Sequence, residues 1–273
     1  MYSRRNSSNI NNTQNQNRNS FIPSEQRRPN FDKFVRRYEI NQTFAKKLLA
    51  LDGYEIVFVC DDSGSMNTPL GDVFGYLNNS RTRWDELKQT VSIVVDLAST
   101  LDPNGVDVYF LNRLFAFFLI ILCFTPITRV LREILRNKQH EIQERNLLIL
   151  IATDGIPTDD DGYQDIGSLK KVLQYERNPT HRIPVTIIAC TDDDQSMDYL
   201  NDWDKEIPNL DVVDDYRSEK RQILRCQGND FPFSFGDYIV KILLGGIDKW
   251  FDDLDERKVS LNGFGRSQNG DRF

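Results

Sequence analysis

The run Glu55-Ile56-Val57-Phe58-Val59-Cys60-Asp61-Asp62-Ser63-Gly64-Ser65-Met66 decides how this chain is read. Its first half is short, apolar and rich in β-branched and aromatic residues, which predicts a strand buried on both faces. Its second half changes abruptly to carboxylates, hydroxyls and a glycine. Polar oxygen atoms are therefore delivered at the carboxyl end of a buried strand.

Working outward, the same alternation repeats. Apolar runs at residues 106–111, 147–152, 184–190 and 210–213 predict four more strands. Helical periodicity falls between them. Over residues 81–100, Trp84, Leu87, Val91, Val94 and Val95 recur on one face. Residues 126–139 predict a helix with Pro126 in its first turn. Residues 168–175, 197–205 and 237–255 complete the set. Wholly apolar strands separated by helices predict an α/β fold: a doubly wound, mostly parallel, Rossmann-like sheet with helices on both faces. Such sheets bind ligands outside the carboxyl ends of their strands, at the topological switch point, so the loops that follow the strands are where function is sought.

The flanks differ from this body. The chain has 273 residues, 34 of them Lys or Arg and 41 Asp or Glu, for a net charge of -7. Residues 1–50 carry ten basic and three acidic residues, which leaves 24 basic and 38 acidic residues for the rest. An acidic body argues against a specific nucleic-acid partner, which calls for a basic face, and suits cations or basic partners. Residues 1–30, rich in Asn, Ser and Arg, read as a disordered basic tail. Residues 31–52 read as a helical lead-in, 53–256 as the folded domain and 257–273 as a flexible polar tail. No apolar signal segment opens the sequence, so the expected location is intracellular and cytoplasmic. Cys60, Cys123, Cys190 and Cys226 form no C-x-x-C pair and read as structural thiols of a reducing compartment.

Three stretches place oxygen donors at strand ends: Asp61-Asp62-Ser63-Gly64-Ser65 after the first strand, Thr125-Pro126-Ile127-Thr128 opening a helix, and Thr153-Asp154-Gly155 after the strand at 147–152. An oxygen-only set of this kind suits a hard divalent cation, Mg²⁺ above all. Each element also has a plainer reading. Asp-Asp-Ser-Gly-Ser suits a turn, Thr125 suits a helix N-cap, and Asp154-Gly155 suits a turn. Thr128 reads as a packing or surface residue. The acidic runs at 192–194 and 159–161 read as solvated loops.

Taken together and in this order, Asp61-x-Ser63-x-Ser65, Thr125 and Asp154 resemble the metal-ion-dependent adhesion site of von Willebrand factor A domains. The resemblance covers roughly residues 53–250. It implies Mg²⁺ or Mn²⁺ at the sheet's upper edge, coordinated directly by Ser63 and Ser65. Thr125 would bind directly or through water, and Asp61 and Asp154 mainly through water. It further implies a protein partner whose acidic residue completes the coordination, and binding rather than catalysis.

One segment departs from the family's pattern. Residues 114–124 are uninterruptedly apolar, where the family carries a polar connection with a glycine. The run is shorter than the roughly 20 residues that span a bilayer, so no membrane span is expected. As a sheet-edge strand it would invite aggregation. Its abrupt composition is also what translated intron sequence would look like, which sequencing the transcript tests.

Other chemistries lack a needed group. A haloacid-dehalogenase-type phosphoryl-transfer hydrolase would use Asp61 as nucleophile, but it needs a second carboxylate two positions on, where Ser63 stands. A dinucleotide-binding G-x-G-x-x-G is absent. His140 and His181 are the only histidines, neither is near a nucleophile elbow, and both read as surface residues.

Overall fold

The computed structural model describes residues 24–70, 81–101, 105–112, 124–191, 197–200 and 202–259. Five strands among them form one parallel sheet: β1 (Tyr54–Cys60), β2 (Val106–Phe110), β3 (Asn146–Thr153), β4 (Val185–Ala189) and β5 (Leu210–Val213), in the order β2-β1-β3-β4-β5. All five lie where apolar runs predict them. The chain leaves β1 to one side for β2 and returns to its other side for β3. The switch point therefore lies between β1 and β3, the strands that carry Asp61 and Asp154 at their ends.

Two-residue alternation divides the sheet between two cores, as strand geometry requires. Ile56, Phe58 and Cys60 of β1 join Leu148, Leu150 and Ala152 of β3 in one core. Val57 and Val59 join Leu147, Ile149 and Ile151 in the other. Register places Cys60 opposite Ala152, so the two strands end level and present their next residues side by side.

The first core is covered by α1 (Ser24–Arg37), α2 (Gln42–Lys47) and α3 (Arg83–Leu101), and by three later helices. The lead-in is built into this core. Phe44 and Leu48 are fully buried, Asn41 N–H donates to Asp237 at 2.7 Å, and the chain at Tyr38 packs so closely that a Cβ on Gly236 would lie 2.1 Å from Tyr38 O. The second core is covered by α4 (Ile127–Asn137), α5 (Gln139–Glu144), α6 (Ile166–Lys171) and α7 (Trp203–Glu206).

Several elements differ from expectation. The first helix opens at Ser24, inside the stretch expected to be a disordered tail. The helix expected over 126–139 is two, α4 and α5, which meet at Lys138. The closing helix expected over 237–255 is α9 (Phe235–Leu244) and α10 (Lys249–Glu256), separated by Gly245 and Gly246. A helix over 216–227, α8 (Tyr216–Gln227), is not predicted from the sequence; of its residues only Glu219 and Ile223 are buried. Of the apolar segment at 114–124, residues 114–123 lie outside the described residues, as does the acidic run at 192–194. Among the described residues no helix is long and apolar enough to cross a membrane.

Candidate metal centre

β1 and β3 build the site between them. Asp61 N–H donates to Ala152 O at 2.9 Å, extending the β1–β3 ladder by one residue. This holds the Asp61 side chain, fully buried, against the end of β3. Its Oδ1 accepts from Ser63 N–H at 2.9 Å and its Oδ2 from the Thr153 hydroxyl at 2.8 Å. The first contact is a tight Asx turn, which explains why Asp precedes Ser by two. Burial and the nearby Asp154 charge raise the Asp61 carboxyl above its usual range, while the bonds from Ser63 and Thr153 oppose that shift.

After Ser63 the chain makes a short 3₁₀ turn, Gly64–Asn67, which swings Ser65 back over the strand ends. The Ser63 and Ser65 hydroxyl oxygens are 2.9 Å apart, and the Ser65 hydroxyl donates to Asp154 Oδ1 at 2.8 Å. Asp61, Ser63, Ser65 and Asp154 are thereby one connected set, and Ser65 is its exposed member. All the donors are oxygens, two carboxylates among them, which is the donor type that hard divalent cations take.

Thr125 comes to the same edge. Its N–H donates to the Thr158 hydroxyl at 2.9 Å and its carbonyl accepts from Thr158 N–H at 3.0 Å. Its hydroxyl lies 3.9 Å from the position a Cβ would take on Gly155, so it faces the Asp154-Gly155 turn. Its side chain does not cap α4, whose N-cap is Pro126. Thr128 is a packing residue, 4% exposed. Asp62 turns toward β2 instead, accepting from Asn112 N–H at 2.9 Å. Asp159 folds its own loop by accepting from Asp161 and Tyr163 N–H.

Sequence reasoning assigned no role to Thr153, whose hydroxyl holds Asp61, and missed Arg83 altogether. The Arg83 Nη1 lies 3.0 Å from Asp154 Oδ2, with the side chains 11% and 1% exposed. A signal for it exists. Arg83 opens α3, where a positive charge opposes the helix dipole, so its presence there asks for a carboxylate partner. The identity of that partner, 71 positions away, is not written locally. Backbone bonds fix the approach to Arg83: Leu70 N–H donates to Arg81 O, and Arg83 N–H to Thr68 O.

Other titratable groups take no part in this hydrogen-bonded set. His140 and His181 are exposed. Cys60, Cys190 and Cys226 form no disulfide among the described residues, and burial pushes the Cys190 thiol well above its usual range. Asp252, Asp253 and Glu256 form an acidic group on α10, but Lys249 and Arg257 already pair with it. No protein-family model matches the chain, and no curated protein matches it either.

Proposed function

We propose that this chain is a von Willebrand factor A-like binding module that holds Mg²⁺ or Mn²⁺ through Asp61, Ser63, Ser65, Thr125 and Asp154. The observation that carries the reading is the connected Asp61–Ser63–Ser65–Asp154 set at the β1/β3 switch point. A bound divalent cation would supply a positive centre that an acidic group can approach. Ser63, Ser65 and Thr125 would offer hydroxyl oxygens to it. Asp61 would act at one remove, since both of its oxygens already accept hydrogen bonds within the protein. Exposed Ser65 marks the side from which a partner's acidic residue would reach the ion.

Binding rather than catalysis is the function this arrangement supports. A nucleophilic Asp61 in a phosphoryl-transfer hydrolase would have to be accessible, yet it is fully buried. The position of the required second carboxylate is Ser63. The test is recovery of a protein partner from the chain's own cells by the full-length chain, with Mg²⁺ and with EDTA, alongside a Ser63→Ala control. Capture that needs both Mg²⁺ and Ser63 is expected. Phosphate release from generic phosphoesters that Asp61→Asn abolishes would favour the hydrolase instead.

A further inference from the structure

Arg83 occupies a place that a metal-binding reading does not call for. It puts a full positive charge on Asp154, one of the proposed ligands, through a pair almost closed to solvent. Two like charges cannot both lie close to one carboxylate in a poorly solvated site without repelling each other. A divalent cation held by Asp154 and Ser65 would therefore face the guanidinium directly.

Arg83 also borders a second pair of carboxylates. Its side chain is part of the wall of a small cavity of ≈ 20 Å³ between α3, the end of β4 and the start of α8, shared with Glu86, Thr90, Cys190, Asp215 and Tyr238. Asp215 caps α8 with its Oδ1, which accepts from Arg217 and Ser218 N–H. Its Oδ2 is buried with no hydrogen-bond partner, and the residue is 7% exposed. Glu86 adds a second carboxylate to the same wall. A buried carboxylate oxygen without a donor carries a desolvation cost that an incoming guanidinium removes. Arg83 and Asp215 border the same cavity, so a change of Arg83 side-chain torsions, with local widening of a space about one water in size, is the move this requires.

We propose that Arg83 is an internal cation that competes with the metal for Asp154: it latches Asp154 while the site is metal-free and turns to Asp215 when a divalent cation binds. The proposal rests on the metal-binding reading above. It makes Arg83 a positioning residue that sets metal affinity, and it links the metal to the starts of α3 and α8. Such linkage is reciprocal, so whatever stabilises Arg83 on Asp215 also tightens the metal.

Calorimetric titration of Mg²⁺ and Mn²⁺ into the full-length chain tests it, with Arg83→Gln, Asp215→Asn and Ser65→Ala variants. Arg83→Gln is expected to bind either ion about tenfold more tightly while melting at a lower temperature in EDTA. Structural damage alone would not move these two readouts in opposite senses. Asp215→Asn, which keeps the helix cap, is expected to weaken binding several-fold. Equal or weaker binding by Arg83→Gln, with the parent chain binding and Ser65→Ala not binding, overturns the latch and leaves the metal site standing. No binding by either the parent or Arg83→Gln overturns both. Should Arg83→Gln fail to fold, the Arg83 side-chain NMR signal of the parent chain decides. A shift on Mg²⁺ saturation supports the latch, and an unmoved signal overturns it.

Discussion

Two groups of buried carboxylates among the described residues are handled differently by the protein. At the sheet's carboxyl edge, Asp61 and Asp154 are joined by hydroxyls, and Ser65 remains open to solvent. Between β5 and helices α8, α9 and α10, the carboxylates of Asp211, Glu219 and Asp255 surround Lys241. The Lys241 ammonium lies 3.1 Å from Glu219 Oε1, 3.2 Å from Asp255 Oδ1 and 3.2 Å from Phe251 O. This second group is sealed around a resident cation on a helix interior; Lys241 and Glu219 are closed to solvent, and only Asp255 reaches its margin. Its role is to hold α8, α9 and α10 together. The first group has hydroxyls, an exposed side and a cation, Arg83, borrowed from a flanking helix. Buried charge alone therefore does not mark a site. What separates the two groups is an open face and hydroxyl oxygens among the carboxylates.

If the sealed cluster is structural, removing its cation should cost more stability than any substitution at the sheet edge. Lys241→Met leaves buried carboxylates uncompensated and is expected to cost about 3–5 kcal/mol in urea unfolding, with the metal affinity of whatever still folds unchanged. Thr153→Val strikes the other cluster. It removes the hydroxyl that donates to buried Asp61 Oδ2 and is expected to cost about 1–3 kcal/mol and to weaken metal binding as well. That double effect is what distinguishes an edge residue from a residue of the sealed cluster.

A smaller effect, of opposite sign, tests the charge state of the sealed cluster. Burial pushes Asp211 up to about 6, although Lys241 opposes it, and its Oδ2 lacks a hydrogen-bond partner. The unfolded value lies near 4, so the native state binds more protons between about pH 4 and 6. The contribution of Asp211 to stability therefore falls as pH rises through that window, and its cost is complete above it. Asp211→Asn should flatten this decline and stabilise the chain at pH 7 by on the order of 1–2 kcal/mol. Denaturation curves of parent and variant at pH 4, 5, 6 and 7 check both the sign and the window; a stability difference between them that does not grow across it contradicts the assignment. Asp62→Ala should have the smallest effect. It loses the bond to Asn112 N–H, is expected to cost about 1 kcal/mol, and should leave Mg²⁺ affinity within about twofold.

The sheet was legible because parallel strands buried on both faces are apolar throughout, as in Leu147-Leu148-Ile149-Leu150-Ile151-Ala152. Asp61, Ser63, Ser65 and Asp154 were legible because they follow strands directly, so one-dimensional order carries them to one edge. Helix α8 was not, because it buries only two side chains and one of them is Glu219. A helix held by a buried ion pair leaves no apolar periodicity to read. The glycine at position 245, where the closing helix splits, reflects a tertiary contact. A Cβ there would lie 1.6 Å from Asp211 Oδ2, and nothing in the sequence near Gly245 announces a carboxylate from β5. Arg83 was hidden for the same reason, since its partner follows another strand.

Whether the edge cluster, and not the sealed one, takes a divalent cation is tested most directly by thermal melting. The parent chain, Ser63→Ala and Ser65→Ala are melted across a Mg²⁺ series and referenced to EDTA. At a hundredfold excess over Kd, binding to the native state adds about 2.7 kcal/mol. That raises the melting temperature by several degrees in a chain of this size. Such a rise is expected for the parent, and its loss in both serine variants. A parent melting temperature that does not change across the Mg²⁺ series, or a rise that survives in both variants, would contradict a metal centre at the β1/β3 edge.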